Sequence, residues 1–257
     1  MAKYFNVTVK PTIAASRQHV AAFTAADVLF DWVAFDIPKG GARCIGATLL
    51  VRPKGDTTPS KNDFGAWFIV SSSNDVSLGT ANDSATKRPS NDFIGILEIG
   101  DEHSYVNLLN STNIGATGRA TNNETQHPSF VVARNAGSDG NGANVGYDRF
   151  YLGAMANGAF DFSSINVIND TDINSTNPTA IVMAGTDMDV REHFMAGDVL
   201  HAQDDILLGT VESISDAATG PINLTVATIG RSDETSVAHG DTIYNIHPMR
   251  IILHFEQ

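Results

Sequence analysis

The chain has 257 residues, 42% of them hydrophobic and only 18% charged. It can therefore bury a sizeable core, and it lacks the high charge and apolar poverty of a disordered chain. A formal net charge of −13 sets the surface against nucleic-acid phosphates, and a single cysteine, Cys44, excludes an intramolecular disulfide.

Asp outnumbers Glu 22 to 7, and there are only 6 Lys. Glu and Lys populate helix surfaces, whereas Asp favours turns and caps. Asn, Ser, Thr and Gly together supply 83 residues, about a third of the chain. The composition therefore predicts β-strands joined by many turns. No apolar run approaches the roughly eighteen residues of a membrane span, so no membrane partner is expected. Met1-Ala2-Lys3-Tyr4-Phe5 passes directly into a strand-like alternation, without the basic start and apolar stretch of a secretory signal.

In chain order, Tyr4 to Lys10 alternates and stops at Pro11, which predicts a strand. Ala14 to Phe23 lacks Gly and Pro and predicts a short helix. In Ala26 to Pro38 the alternation puts Val28, Phe30, Trp32 and Ala34 on one face. After Lys39-Gly40-Gly41-Ala42 a second strand runs from Arg43 to Arg52, so an antiparallel pair across the glycine turn is expected. Phe64 to Ser71 is nearly all apolar and reads as a central strand, and Phe93 to Ile99 as a further one. The stretch from Asn107 to Asn144 carries eight Asn and one strand-like island, Phe130 to Arg134. Such long polar stretches inside a compact domain are often contact or functional surfaces. Arg149 to Ala156 and Ala180 to Ala184 read as strands. From about Thr186, short apolar runs at 194–201, 206–214, 222–226 and 239–244 predict a small barrel. Gly197-Asp198-Val199-Leu200 and Gly240-Asp241-Thr242-Ile243 form a loose internal echo there. Met249 to Glu256 is a strong strand.

The expected fold is all-β. An antiparallel, jelly-roll-like β-sandwich covers 1–185 and a small β-barrel module covers 186–247. A terminal strand at 248–257 can return to the sandwich near Tyr4–Val9, which would make the barrel an insertion.

Chemistry-bearing residues are scattered. The eight histidines, His19, His103, His127, His193, His201, His239, His247 and His254, include no His-x-x-x-His pair of the kind metalloproteases use. Surface or turn roles are the simpler reading of each. Asp101-Glu102-His103 follows a strand and Gly100 and reads as a solvated turn. Ser138 to Asn144 resembles the start of a calcium loop, with alternate oxygen side chains but no terminal bidentate Glu. Cys44 lies inside an apolar strand with no activating partner and reads as a buried inert thiol. Neither a Gly-x-Ser-x-Gly elbow nor a phosphate-cradling Gly-Lys-Ser/Thr loop occurs. Asn-x-Ser/Thr sequons stand at Asn6, Asn82, Asn110, Asn123, Asn169, Asn174 and Asn223, as an Asn- and Thr-rich chain produces by chance. Tyr147, Phe150 and Tyr151 beside Asp148 and Arg149 form either a sugar platform or, preferably, the core aromatics of a strand. No catalytic, cofactor-binding or metal-ligating set is expected.

The runs Phe194 to Leu200, Leu208 to Ile214, Ile222 to Val226 and Gly240 to Tyr244, with Phe35 to Arg43 further upstream, resemble segments of virion structural proteins of tailed bacteriophages. Marine and cyanobacterial phages are the nearest in style. The likeness covers about a third of the chain and includes no catalytic signature. It implies a non-enzymatic structural role in the virion, assembled in the host cytoplasm, and foremost a capsid decoration protein that cements capsomers. The expected partners are the major capsid protein and copies of itself, a trimer or hexamer suiting a capsid lattice. The expected contact segments are 107–144, the arm 1–11 and the strand 249–257. A tail, baseplate or fibre component binding host glycans is the alternative. A carbohydrate-active enzyme, which needs two carboxylates across a cleft, is the second.

Overall fold

The computed structural model describes residues 3–51, 65–85, 93–99, 105–109, 112–117, 130–133, 146–159, 168–169, 180–184, 194–214, 222–227 and 237–257. The chain opens with β1 (Tyr4–Val9), α1 (Ala15–His19), β2 (Val28–Pro38), β3 (Ala42–Val51), β4 (Ala66–Ser71) and β5 (Phe93–Ile99). Its middle holds β6 (Tyr105–Leu109), β7 (Thr112–Thr117), β8 (Phe130–Val132), β9 (Tyr147–Ala156), β10 (Ile168–Asn169) and β11 (Ala180–Ala184). It closes with β12 (Val199–Ala202), β13 (Leu207–Ile214), β14 (Ile222–Ala227), β15 (Ile243–Asn245) and β16 (Met249–Glu256).

The strands pair antiparallel in three sheets. The first runs β1-β16-β3-β7-β6, with β8 also on β3, and the second runs β2-β9-β4-β5. These two sheets face each other as a sandwich. Ala47, Leu49, Ile251, Leu253 and Phe255 of one sheet meet Phe35, Phe68, Leu97, Phe150 and Leu152 of the other in one core. The strict alternation of β16, with Met249, Ile251, Leu253 and Phe255 buried, is what one apolar and one wetter face require. β16 lies between β1, with Val9 opposite Ile251, and β3, with Leu253 opposite Ala47. Both of its edges are therefore used, and the strand 249–257 is interior ladder rather than a free contact edge.

Two local expectations are corrected. β2 and β3 do not form a hairpin: β2 pairs β9 and β3 pairs β16, in opposite sheets. Gly40 and Gly41 both have positive φ, +106° and +77°, and this backbone, open mainly to glycine, swings the chain across the core. Nor do Val28, Phe30, Trp32 and Ala34 all share one face: Phe30 lies in the main core with Phe35 and Ile37, while Val28 packs with Trp32 in a separate cluster and Ala34 is exposed. The register against β9 shifts twice, between Val28 and Phe30 and between Phe30 and Val33. Each extra residue inverts the alternation downstream, so the first shift turns Phe30 into the main core and the second restores the original phase.

The third sheet runs β10-β11-β14-β13-β12-β15 and has its own core, including Phe194, Leu200, Leu208, Val211 and Ile243. It takes in β10 and β11, which precede residue 186. Where a small barrel is expected, the described residues form an open sheet ending at β10 and β15. At the end of β15 the backbone is engaged by the segment that follows β1. Ile13 N–H donates to Ile246 O at 2.9 Å, and Gln18 Nε2 to Asn245 O at 3.0 Å.

The Gly-Asp echo is one turn used repeatedly. In Met195–Asp198 and Ala238–Asp241 the glycine has φ of +90° or +93°, and the Asp N–H returns to the first carbonyl at 3.1 or 3.2 Å. The Asp carboxylate accepts the first residue's N–H at 2.8 or 2.9 Å. Thr24–Asp27 repeats the geometry, with Thr24 N–H on Asp27 Oδ2 at 2.7 Å, but here Ala26 occupies the left-handed position at φ +74°. A side chain there costs about 1–2 kcal/mol, partly offset by the unfolded-state entropy of glycine. Ala26→Gly is therefore expected to raise stability by about 0.5–1 kcal/mol, read as a higher urea midpoint at unchanged slope.

Candidate functional site

Five of the eight histidines lie among the described residues, and these do not gather at one metal site. No group of three or more His, Cys, Asp or Glu that could hold one occurs among the described residues. His103, His127 and His193 lie outside the described residues, as do Asp101-Glu102-His103 and the calcium-like run Ser138 to Asn144.

Three of the remaining histidines sit where the segment 11–19 meets the third sheet. The His19 ring nitrogen Nδ1 is 2.9 Å from the Tyr244 hydroxyl. His201 Nδ1 faces Asp205 O at 2.9 Å and His247 Nδ1 faces Pro11 O at 3.1 Å. A carbonyl only accepts, so both nitrogens carry the proton. Asp205 fastens the junction, its carboxylate taking the Ser16 N–H at 3.0 Å and the Ser16 hydroxyl. Gln18 completes it, donating from Nε2 to Ile13 O at 2.8 Å as well as to Asn245 O.

His254 lies elsewhere, on the outer face of the first sheet. Its Nδ1 donates to Asn6 Oδ1 at 2.9 Å, and its Nε2 is 2.9 Å from the Thr48 hydroxyl, which ties three strands together. Burial lowers the pKa of His201 and of His254 below the usual 6.5. Both rings are harder to protonate in the fold than in the unfolded chain, so protonation favours unfolding. Their contribution is complete above about pH 6.5 and is lost as pH falls below it toward the folded-state values. The urea midpoint is expected to drop between pH 7.5 and pH 5.5. His201→Asn, which keeps a donor for Asp205 O, is expected to flatten part of that drop.

Cys44 is fully buried, its Sγ 3.7 Å from Gly46 O, and burial pushes the thiol up to about 11. A thiol so disposed holds almost no thiolate at neutral pH and is no nucleophile. Asn6 and Asn82, two of the sequon residues, are engaged: Asn6 holds His254, and Asn82 donates to Arg17 O and Ala21 O. Asn169 and Asn223 lie in β10 and β14; Asn110, Asn123 and Asn174 lie outside the described residues. The aromatic set on β9 divides by strand alternation: Phe150 is fully buried, Tyr147 is 54% exposed, and Asp148 is buried. Arg149 is committed to a two-pronged pair with Asp36 at 2.9 and 3.1 Å. Tyr147, Arg149 and Tyr151 share the outer face of the strand, and Phe150 alone of the three aromatics is core.

The structure brings together a feature that the sequence reading did not single out. Among the described residues β5 ends the path of the second sheet, and it meets β8 of the first sheet where the Phe130 ring lies over Gly95. A Cβ on Gly95 would fall 2.5 Å from that ring. Phe93, 45% exposed, and Ile96, 47% exposed, lie on β5 beside this contact, while Val131, 65% exposed, points out from the opposite sheet because Phe130 and Val132 face the core. The signal was present in Phe93-Ile94-Gly95-Ile96-Leu97, which puts bulky apolar residues on both strand faces although only one can reach the core. An end strand with apolar side chains is a template for pairing with another chain.

No protein-family model, curated protein or solved structure matches this chain.

Proposed function

We propose that this chain is a non-enzymatic structural protein of a tailed-phage virion, and that it decorates the capsid by docking the β5 edge onto the shell. The observation that carries the reading is that edge. Phe93 and Ile96 are exposed on β5, the last strand of its sheet among the described residues. A strand of the shell protein, or of a second copy, that adds to β5 gains main-chain hydrogen bonds and covers these side chains. Contacts across capsomer boundaries favour the assembled state by mass action, because they exist only in it. The resemblance of 35–43 and 194–244 to phage virion proteins supplies the kind of partner.

The test is the copy number of the chain in purified virions of its source phage, by quantitative mass spectrometry against the major capsid protein. A number comparable to the capsid protein supports decoration. A handful per particle overturns decoration in favour of the tail, baseplate or fibre reading, and absence overturns the virion reading altogether. Ile96→Asp refines the test, since a charge on the docking edge must be desolvated on binding. Folded Ile96→Asp protein is expected to lose capsid binding at least about tenfold; unchanged binding would move the contact elsewhere on the molecule.

A further inference from the structure

A small cleft opens where the sandwich meets the third sheet. Lys10, Leu50, Pro248 and Arg250 line it from the sandwich side, and Met195 to Asp198, Asn245 and His247 from the other. Its volume of about 130 Å³ lies below the roughly 300 Å³ at which pockets for drug-sized ligands begin. The occupant it suits is therefore small.

The charges in the cleft are arranged against the rest of the molecule. Val9 stands opposite Ile251 in the last pair of the β1–β16 ladder, so Lys10 and Arg250 each lie one residue beyond that pair, and both line the cleft. Both are exposed, and both fall on the outer sheet face with Asn6, Thr8 and His254. Like charges held at neighbouring positions of two strands repel. Neither cation has a carboxylate within 4.0 Å among the described residues, in a chain with 29 acidic and 16 basic residues. Asp198 lines the opposite wall, but its Oδ2 accepts the Met195 N–H at 2.8 Å. His247 adds a third nitrogenous side chain, with Nδ1 held by Pro11 O. Two neighbouring cations beside a small cleft are in conflict when it is empty of anions and are reconciled when an anion bridges them.

We infer that this cleft binds a small oxyanion, a phosphate or a carboxylate, between Lys10 and Arg250. Arg presents a planar fork matched to two oxygens, and Lys adds a point charge. The net charge of −13 opposes any anion at long range, but at physiological salt the screening length is about 8 Å, so the two cations at contact dominate. An anion held there touches both sides of the junction and stabilises their union by mass action. The inference does not depend on the virion reading.

Thermal unfolding in inorganic phosphate or in acetate, against chloride at matched ionic strength, tests it. The wild-type protein is expected to melt higher in at least one of the two oxyanions than in chloride, saturably with concentration. Arg250→Gln and Lys10→Gln are each expected to weaken the fitted affinity about tenfold or more. Lys3→Gln, at the far end of the same strand, is expected to respond like wild type. A response to phosphate assigns a free phosphate ligand. A response to acetate alone assigns a carboxylate, such as an acidic side chain of another chain. No rise above chloride in either, or a rise that survives in Arg250→Gln or Lys10→Gln, overturns the site. In low-salt chloride buffer Lys10→Gln should melt higher than wild type, since one of two neighbouring cations is gone; a lower melt would overturn the conflict from which the site is argued.

Discussion

Phe255→Ala is expected to destabilise the protein by about 3–5 kcal/mol, the usual cost of truncating a buried aromatic. Phe255 is 1% exposed and lies in β16, between β1 and β3. Its ring stacks on Phe5 at 5.2 Å between centroids and approaches Phe35 of the opposite sheet at 6.2 Å. It therefore joins the two sheets and also lies in an interior strand. Aromatic pairs at these separations each add about 0.5–1.5 kcal/mol beyond the area buried. Small proteins are stable by only about 5–15 kcal/mol, so the variant is expected to be partly unfolded at 37 °C. The measurement is the urea midpoint at unchanged slope. Ile252→Ala, on the half-buried outer face of the same strand, supplies the comparison and is expected to cost less. Equal losses would mean that the interior of the sandwich is not where β16 acts.

Gly95→Val is the second large effect, an expected loss of about 1–3 kcal/mol from overpacking. Gly95 is buried in β5, and the space its side chain would occupy is filled by the Phe130 ring, 2.5 Å from the ideal Cβ position. Phe130 opens β8, which pairs with Ala42 to Cys44 of β3. Displacing the ring therefore loosens the contact between the two sheets at the margin carrying Phe93 and Ile96. A valine is a good strand residue by propensity, so destabilisation here would report the clash and not the strand. Combining Gly95→Val with Phe130→Ala is expected to cost less than the sum of the two single variants, since removal of the ring removes the clash. Additive losses would show that Phe130 does not occupy that space in solution. On the proposed function, Gly95→Val also weakens capsid binding.

Much of the architecture was legible before any coordinates. The excess of Asp, Asn, Ser, Thr and Gly over Glu and Lys signals a β-protein with many turns. The alternation in Tyr4–Val9 and Met249–Glu256 marks strands, and the apolar run around Phe68 marks a strand with neighbours on both sides, β9 and β5. The β6–β7 pair was not singled out, because Asn107, Asn110 and Asn113 disguise the alternation there. The candidate sites were less legible. Lys10 and Arg250 are 240 positions apart, and only the β1–β16 ladder, which ends one residue short of each, brings them to the same cleft.

Local chemistry was enough to specify the all-β class, the turn-rich connections and the burial of Cys44. Each of these follows from residue preferences acting over a few neighbours, which the chain carries in any conformation. Only the tertiary structure decided that Lys39–Ala42 crosses between sheets instead of closing a hairpin, that a shift of register on each side of Phe30 turns it into the main core, and that β16 runs inside the first sheet. A hairpin and a crossover can use the same glycines, and a bulge leaves no signature in the alternation that precedes it. Strand partners are chosen by non-local burial, once the whole core competes for the same apolar faces. The exposed edge at β5 and the cleft at Lys10 and Arg250 are products of that competition, and they appear only after it has been resolved.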